Sequence, residues 1–111
     1  MSLAILAEIG IKALRLQEAT DKKRSARATL LEAYAAYRQR HGDGSYFAKD
    51  SDRYAQMLAA TSREHSVLCS AKYDLAAASR SLERACKRAQ RELTAGVSAE
   101  TAVRRIMEKA A

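Results

Sequence analysis

The sequence contains no proline, no tryptophan, four glycines and two cysteines. Proline and glycine form most tight turns, and a sheet protein needs turn residues at intervals of about ten residues. Their scarcity argues against an all-β fold. The chain is 48% hydrophobic and 30% charged, which excludes a collagen-like or low-complexity composition. Its 111 residues suit one domain.

The sequence contains no residue pattern that is typical of a catalytic or metal site. Cys69 and Cys86 lie in one predicted helix, about 25 Å apart, which is too far for a disulfide within the chain. Free thiols are typical of a reducing compartment, so we expect a cytoplasmic protein. There is no CxxC or HExxH spacing and no glycine-rich phosphate loop. The sequence therefore predicts no metal, no cofactor and no enzyme activity. Its longest apolar stretch, residues 3–16, is too short and too charged to span a membrane.

Helix-forming residues fill two long segments, and turn residues cluster only at 42–45 and 93–98. We predict an all-α protein with a single domain over residues 1–111. Its helices are expected at 2–41, at about 46–95 and, as a short third helix capped by Ser98, at 98–110. A turn at 42–45 joins the two long helices.

Both long helices carry heptad patterns that alternate large residues with alanine. In the second helix one position is held by Tyr54, Thr61, Leu68, Leu75, Leu82 and Ala89, and the other by Met57, Glu64, Ala71, Ala78 and Ala85. In the first helix the corresponding residues are Ile9, Leu16, Lys23, Leu30 and Tyr37, with Ala19, Ala26 and Ala33. Such seams predict an antiparallel coiled-coil hairpin.

The register of this hairpin follows from the position of the turn. Folding about residue 44 places residue i opposite roughly residue 88 − i. Leu30 is then expected to face Leu58. Lys23 is expected to face Glu64 and His65 in a polar layer that fixes the register.

The apolar residues of the segment 3–16 spread over more than one helix face. The second helix covers one face. The short third helix carries Val103, Ile106 and Met107 and is expected to cover another. A remaining face favours a homodimer that completes a helical bundle.

The chain carries a net charge of +7, and one stretch concentrates five bases on one helix face. This basic stripe consists of Arg80, Arg84, Lys87, Arg88 and Arg91. It suits a phosphate backbone or an acidic protein surface. The alternative is a solvated face with intrahelical pairs such as Glu83–Lys87 and Arg88–Glu92.

Aromatic residues gather near the predicted turn rather than along the basic stripe. They are Tyr34, Tyr37, Tyr46, Phe47 and Tyr54. One interpretation is a hydrophobic plug that closes the end of the hairpin. The other is a protein-binding tip, because tyrosine, phenylalanine and arginine are enriched at interfaces. Its candidate binding residues are Tyr46, Phe47 and Tyr54.

Two classes of function remain after these exclusions. The first is a non-catalytic helical protein-binding module: a small adaptor, assembly factor or inhibitor that acts on a larger macromolecular complex, which includes nucleic-acid-processing complexes. The alternative is a basic helical protein that binds nucleic acid directly. The basic stripe lacks the interleaved aromatics that single-strand binders use for stacking, which favours the protein-binding class.

Overall fold

The structure is a computed structural model that describes residues 2–110, apart from the side chains of residues 97–99 and 110. Helices make up 88% of it, and the described residues contain no strand, so the all-α prediction is confirmed. The helices are α1 (Leu3–Arg40), α2 (Asp52–Ala60) and α3 (Ser62–Ala110).

The segment between α1 and α2, residues 41–51, is longer than the predicted turn at 42–45 that it contains. Gly44 has φ +90°, a conformation that glycine adopts without strain, and the Asp43 carboxylate accepts the Ser45 backbone N–H at 2.9 Å. The predicted helix start at about residue 46 is wrong. The helix begins after Ser51, because the Ser51 hydroxyl caps it by accepting the Tyr54 backbone N–H at 3.2 Å.

A break at Thr61 divides the predicted second helix into α2 and α3. Thr61 is buried, with φ −107° and ψ 18°, and its hydroxyl donates to the carbonyl of Met57 at 2.8 Å. A threonine that bonds back to its own helix in this way competes with the regular backbone pattern. Its carbonyl still accepts the His65 backbone N–H at 3.0 Å, so the chain passes directly into α3.

The predicted separate helix at 98–110 is wrong, because α3 continues unbroken to Ala110. Gly96 does not have the positive φ of a helix-ending glycine, which within residues 2–110 occurs at Gly44. A single glycine costs a helix about 1 kcal/mol, which is too little to end a long one. The side chain of Ser98, the predicted cap, lies outside the described residues.

The chain forms two compact units. The 17–77 unit consists of Gln17–Ala77, and the terminal unit consists of residues up to Leu16 and from Ala78 onward. The prediction that the chain forms a single domain stays a prediction.

The core of the 17–77 unit lies between α1 and α3. Ala26 and Leu30 of α1 cluster with Leu68 and Ala71 of α3, and Tyr34 packs against them. Each of the two helices contributes one leucine and one alanine to this cluster. Leu30 therefore packs with Leu68, and the predicted pairing with Leu58 is wrong.

The register differs from the prediction because residues 41–51 are not helical, and the midpoint between Leu30 and Leu68 lies at residue 49 instead of the predicted 44. The predicted polar layer is also wrong. Lys23 and Glu64 form no ion pair within residues 2–110, and His65 is exposed, with its ring Nδ1 3.7 Å from the Sγ of Cys69.

In the terminal unit α1 and α3 also contact each other. Ala85 and Ala89, two predicted seam residues, are buried there, while Ile5 and Ile9 are half-buried. All the predicted heptad residues of both helices are buried or half-buried.

Candidate protein-binding surfaces

The five residues of the basic stripe are exposed on α3 in the terminal unit. Four of them, Arg84, Lys87, Arg88 and Arg91, line a shallow depression of about 260 Å³. The Lys87 Nζ lies 3.1 Å from the Glu83 carboxylate, as the spacing predicts. Arg88 pairs with Glu8 of α1 instead of the predicted Glu92. Arg80, Arg84 and Arg91 form no ion pair within residues 2–110, so their charges face solvent.

Glu8 joins the two helices of the terminal unit electrostatically. Its carboxylate binds Lys12 of the same helix at 3.1 Å and also Arg88 of α3. The hydrogen bond from Lys12, followed by that from Arg88, holds the pKa of Glu8 below its usual value of 4.5. The Glu8–Arg88 ion pair links α1 to α3. The sequence alone predicts Arg88 as part of a binding surface.

The opposite side of α1 is apolar and uncovered in the terminal unit. Ile5, Glu8, Ile9, Lys12 and Leu16 are half-buried on one face. Leu3, Leu6, Ile11 and Leu14 are at least half exposed on the other, with Leu3 at 83%. We call these four residues the α1 apolar face. Glu8 and Lys12 thus share the face toward α3 with three apolar residues, while the four large side chains of the α1 apolar face lie on the outer side.

The predicted aromatic cluster divides into a packed part and an exposed part. Tyr34 belongs to the core of the 17–77 unit. Tyr37 stacks on His41 with ring centroids 4.2 Å apart and meets the edge of Phe47 at 6.3 Å, while Phe47 is half-buried. These contacts agree with the plug interpretation for Tyr37 and Phe47.

Tyr46 agrees with the binding-tip interpretation, because it is 86% exposed. The guanidinium carbon of Arg38 lies 4.3 Å from its ring centroid, a cation–π contact that orients the ring. Tyr54 is half-buried in the first turn of α2. We call the segment 41–51 with Arg38 the aromatic tip.

A groove of about 600 Å³ between α1 and α3 of the 17–77 unit was not expected from the sequence. Its lining includes several small residues and four charged ones, Lys22, Arg63, Glu64 and Asp74. One oxygen of Glu64 is buried in the structure without a hydrogen-bond partner. The small residues that open the groove, such as Ser25 and Ser70, were the available signal.

Searches of protein-family models, curated proteins and solved structures find no match to this chain.

Within residues 2–110 no three His, Cys, Asp or Glu side chains lie close enough to hold a metal ion. Hydrogen bonds from the Ser45 side chain and backbone lower the pKa of Asp43. The same hydrogen bonds hold the loop of the aromatic tip in its conformation. No helix in the described residues is long and apolar enough to cross a membrane.

Proposed function

We propose that this chain is a non-catalytic helical protein-binding module that presents its aromatic tip to a larger protein partner. It would act as an adaptor, an assembly factor or an inhibitor. The observation that carries the proposal is Tyr46, a tyrosine 86% exposed at the end of a helix pair.

Three features hold the aromatic tip ready for a partner. Arg38 supports the Tyr46 ring, the Asp43 carboxylate binds the backbone of Ser45, and the Ser51 hydroxyl donates to the carbonyl of Ala48 at 2.6 Å. An aromatic side chain that is already oriented loses little conformational entropy on binding, which favours affinity. Tyrosine and arginine are also the residue types that dominate binding energy at interfaces.

The proposal includes a coiled-coil arrangement of α1 and α3, a hairpin organisation and self-association as a homodimer. Burial of the heptad residues supports the first, and the uncovered α1 apolar face supports the last. We also propose a cytoplasmic location, since Cys69 and Cys86 are both free thiols.

The test compares two tyrosines of the same unit. The tagged 111-residue chain is used for affinity capture from extracts of its native host, with nuclease added, and the captured protein is then purified for calorimetric titration. Tyr46→Ala is expected to weaken binding at least about 30-fold, the loss of a binding hot spot. Tyr73→Ala is the matched control, because Tyr73 is 71% exposed on α3, away from the tip.

Equal affinities of the Tyr46→Ala variant and the wild type would contradict the proposed role of the aromatic tip. Capture that disappears with nuclease would contradict a direct protein partner. It would favour the alternative, a nucleic-acid-binding protein.

One observation favours that alternative: the solvent-facing charges of Arg80, Arg84 and Arg91 on the basic stripe. We rank it second because Lys87 and Arg88, in the middle of the stripe, are already paired with carboxylates. In the preferred proposal the stripe raises the rate of association with an acidic protein partner.

A further inference from the structure

A second uncovered apolar surface lies near the end of α3. Val103, Ile106 and Met107 are each more than half exposed and share one helix face, because their spacing brings them within about a third of a turn of one another. We call them the α3 apolar stripe. All described residues at 91–96 and 100–109 are exposed, so α1 does not cover this part of α3. A single uncovered helix of this length has only marginal stability in water.

The α3 apolar stripe and the α1 apolar face cannot meet within one chain in this structure. Ile5 and Glu8 lie beside Arg88 and Glu92, and α3 then continues straight. The stripe begins at Val103, about 16 Å farther along the helix axis at roughly 1.5 Å per residue. The α1 apolar face also points away from α3, because Ile5 and Ile9 on the opposite side of α1 face it.

We propose that a second copy of the chain brings the two surfaces together. The α3 apolar stripe of each copy packs on the α1 apolar face of the other, so that both contacts form twice around a two-fold axis. Two-fold symmetric dimers are the commonest homo-oligomers, and every residue pair across such an interface occurs twice. The inference deepens the proposed self-association and is independent of the partner of the aromatic tip.

The lengths and areas of the two surfaces suit this packing between two copies. The α1 apolar face runs from Leu3 to Leu14, about 17 Å, and a stripe-bearing segment of ten residues, 100–109, is about 14 Å long. The seven large apolar side chains of the two surfaces together offer roughly 700 Å² per copy, or roughly 1,400 Å² in the dimer, which is a standard area for a stable interface.

A second copy fits the α1 apolar face better than a lipid surface does. Helices that bind membranes flank their apolar face with lysine and arginine that reach anionic headgroups. Of the two bases in this part of α1, Lys12 is bound by Glu8, which leaves Arg15, beside Ile11, as the single base bordering the face. A second copy also supplies the matching apolar stripe in equal number.

Cross-linking between two differently labelled preparations tests the contact. Both carry Cys69→Ser and Cys86→Ser, one adds Leu6→Cys and the other adds Ile106→Cys. After mixing with a short bismaleimide, we expect a covalent dimer that contains one chain of each kind, in preference to like pairs. In the control, Arg105→Cys replaces Ile106→Cys and cross-links less, because Arg105 points to the other side of α3.

Analytical ultracentrifugation tests the energetics. The wild type is expected to be a dimer at micromolar concentration, and Ile106→Glu is expected to raise the dimer dissociation constant at least about 10-fold by burying a charge. Thr94→Glu makes the same change of charge about half a turn away from the centre of the α3 apolar stripe and is expected to leave the constant within about 2-fold.

Three outcomes would overturn the proposal. A wild-type monomer at high micromolar concentration is one. A cross-link within a single chain that carries both Leu6→Cys and Ile106→Cys, formed at high dilution, shows that α3 folds back on its own α1. Binding of the monomer to phosphatidylcholine vesicles assigns the α1 apolar face to lipid. Tyr46→Ala is expected to leave the dimer dissociation constant unchanged. The proposed dimer can therefore fail without contradicting the proposed role of the aromatic tip, and the reverse is also true.

Discussion

Two neighbouring leucines of α1 provide the sharpest test of the packing in the 17–77 unit. Leu30 is 5% exposed and contacts the cluster that includes Leu68 and Ala71, whereas Leu31 is 54% exposed. Replacing either by alanine makes the same chemical change at adjacent positions in one helix. Any difference in stability therefore reports the environment of the side chain.

The expected magnitudes follow from burial. Leu30→Ala removes three buried carbon groups, about 2.4 kcal/mol at roughly 0.8 kcal/mol each, and adds a cavity term. That term is small because every side chain of the described core keeps some contact with solvent, so neighbouring residues can move into the space. We expect a loss of about 3 kcal/mol for Leu30→Ala. Leu31→Ala is expected to cost about 1 kcal/mol or less, since no cavity forms.

Urea unfolding followed by circular dichroism at 222 nm measures both free energies of unfolding. In thermal melts the difference of about 2 kcal/mol corresponds to roughly 8 °C. Protein concentration is held constant, because self-association raises the apparent stability. Equal losses in the two variants would refute the assignment of Leu30 to the core.

Two further predictions concern charge. The pKa of Glu8 is lowered in the folded protein, so its ion pairs stabilise the fold above the usual value of 4.5, and this contribution is lost as pH falls through the folded pKa. Urea midpoints of Glu8→Gln are expected to fall less steeply than those of the wild type between about pH 5 and pH 3, and parallel curves would contradict the Glu8 contact. For the basic stripe, we expect weak, non-saturating binding to duplex DNA at physiological salt. If the wild type instead binds saturably below micromolar concentration, the ranking of functions reverses, and replacing Arg84 and Arg88 by glutamine should then reduce the salt slope by about two units.

The residues at the predicted heptad positions are all buried or half-buried, because a repeat of about 3.5 residues keeps them on one side of each helix. Even the polar seam residue Thr61 is buried as its position requires. The register was not predictable in the same way. It depends on where helix formation stops on each side of the loop. Ser51, which caps α2, is one of two serines in residues 41–51 that sequence alone leaves equivalent.

The continuation of α3 through Gly96 was missed for a different reason. Glycine followed by serine is typical of a helix end and a new cap, but each residue alone changes helix stability by about 1 kcal/mol. Flanking residues with strong helix propensity outweigh that amount. The inward position of Glu8 and Lys12 was also hidden, since the segment 3–16 is apolar on several faces and its sequence does not show which face meets α3.

The two units also differ in how far apart in sequence their contacting residues lie, which has a consequence for the order of folding. Glu8 and Arg88 are separated by 80 positions, about twice the separation of Leu30 and Leu68. Each doubling of a loop costs about 0.6 kcal/mol in closure entropy, and a long loop closes more slowly than a short one. The 17–77 unit is therefore the natural nucleus. Once it has formed, only a short additional loop must close to bring Glu8 and Arg88 together. The terminal unit is therefore expected to form first at the residues next to Leu16 and Ala78 and last near Leu3.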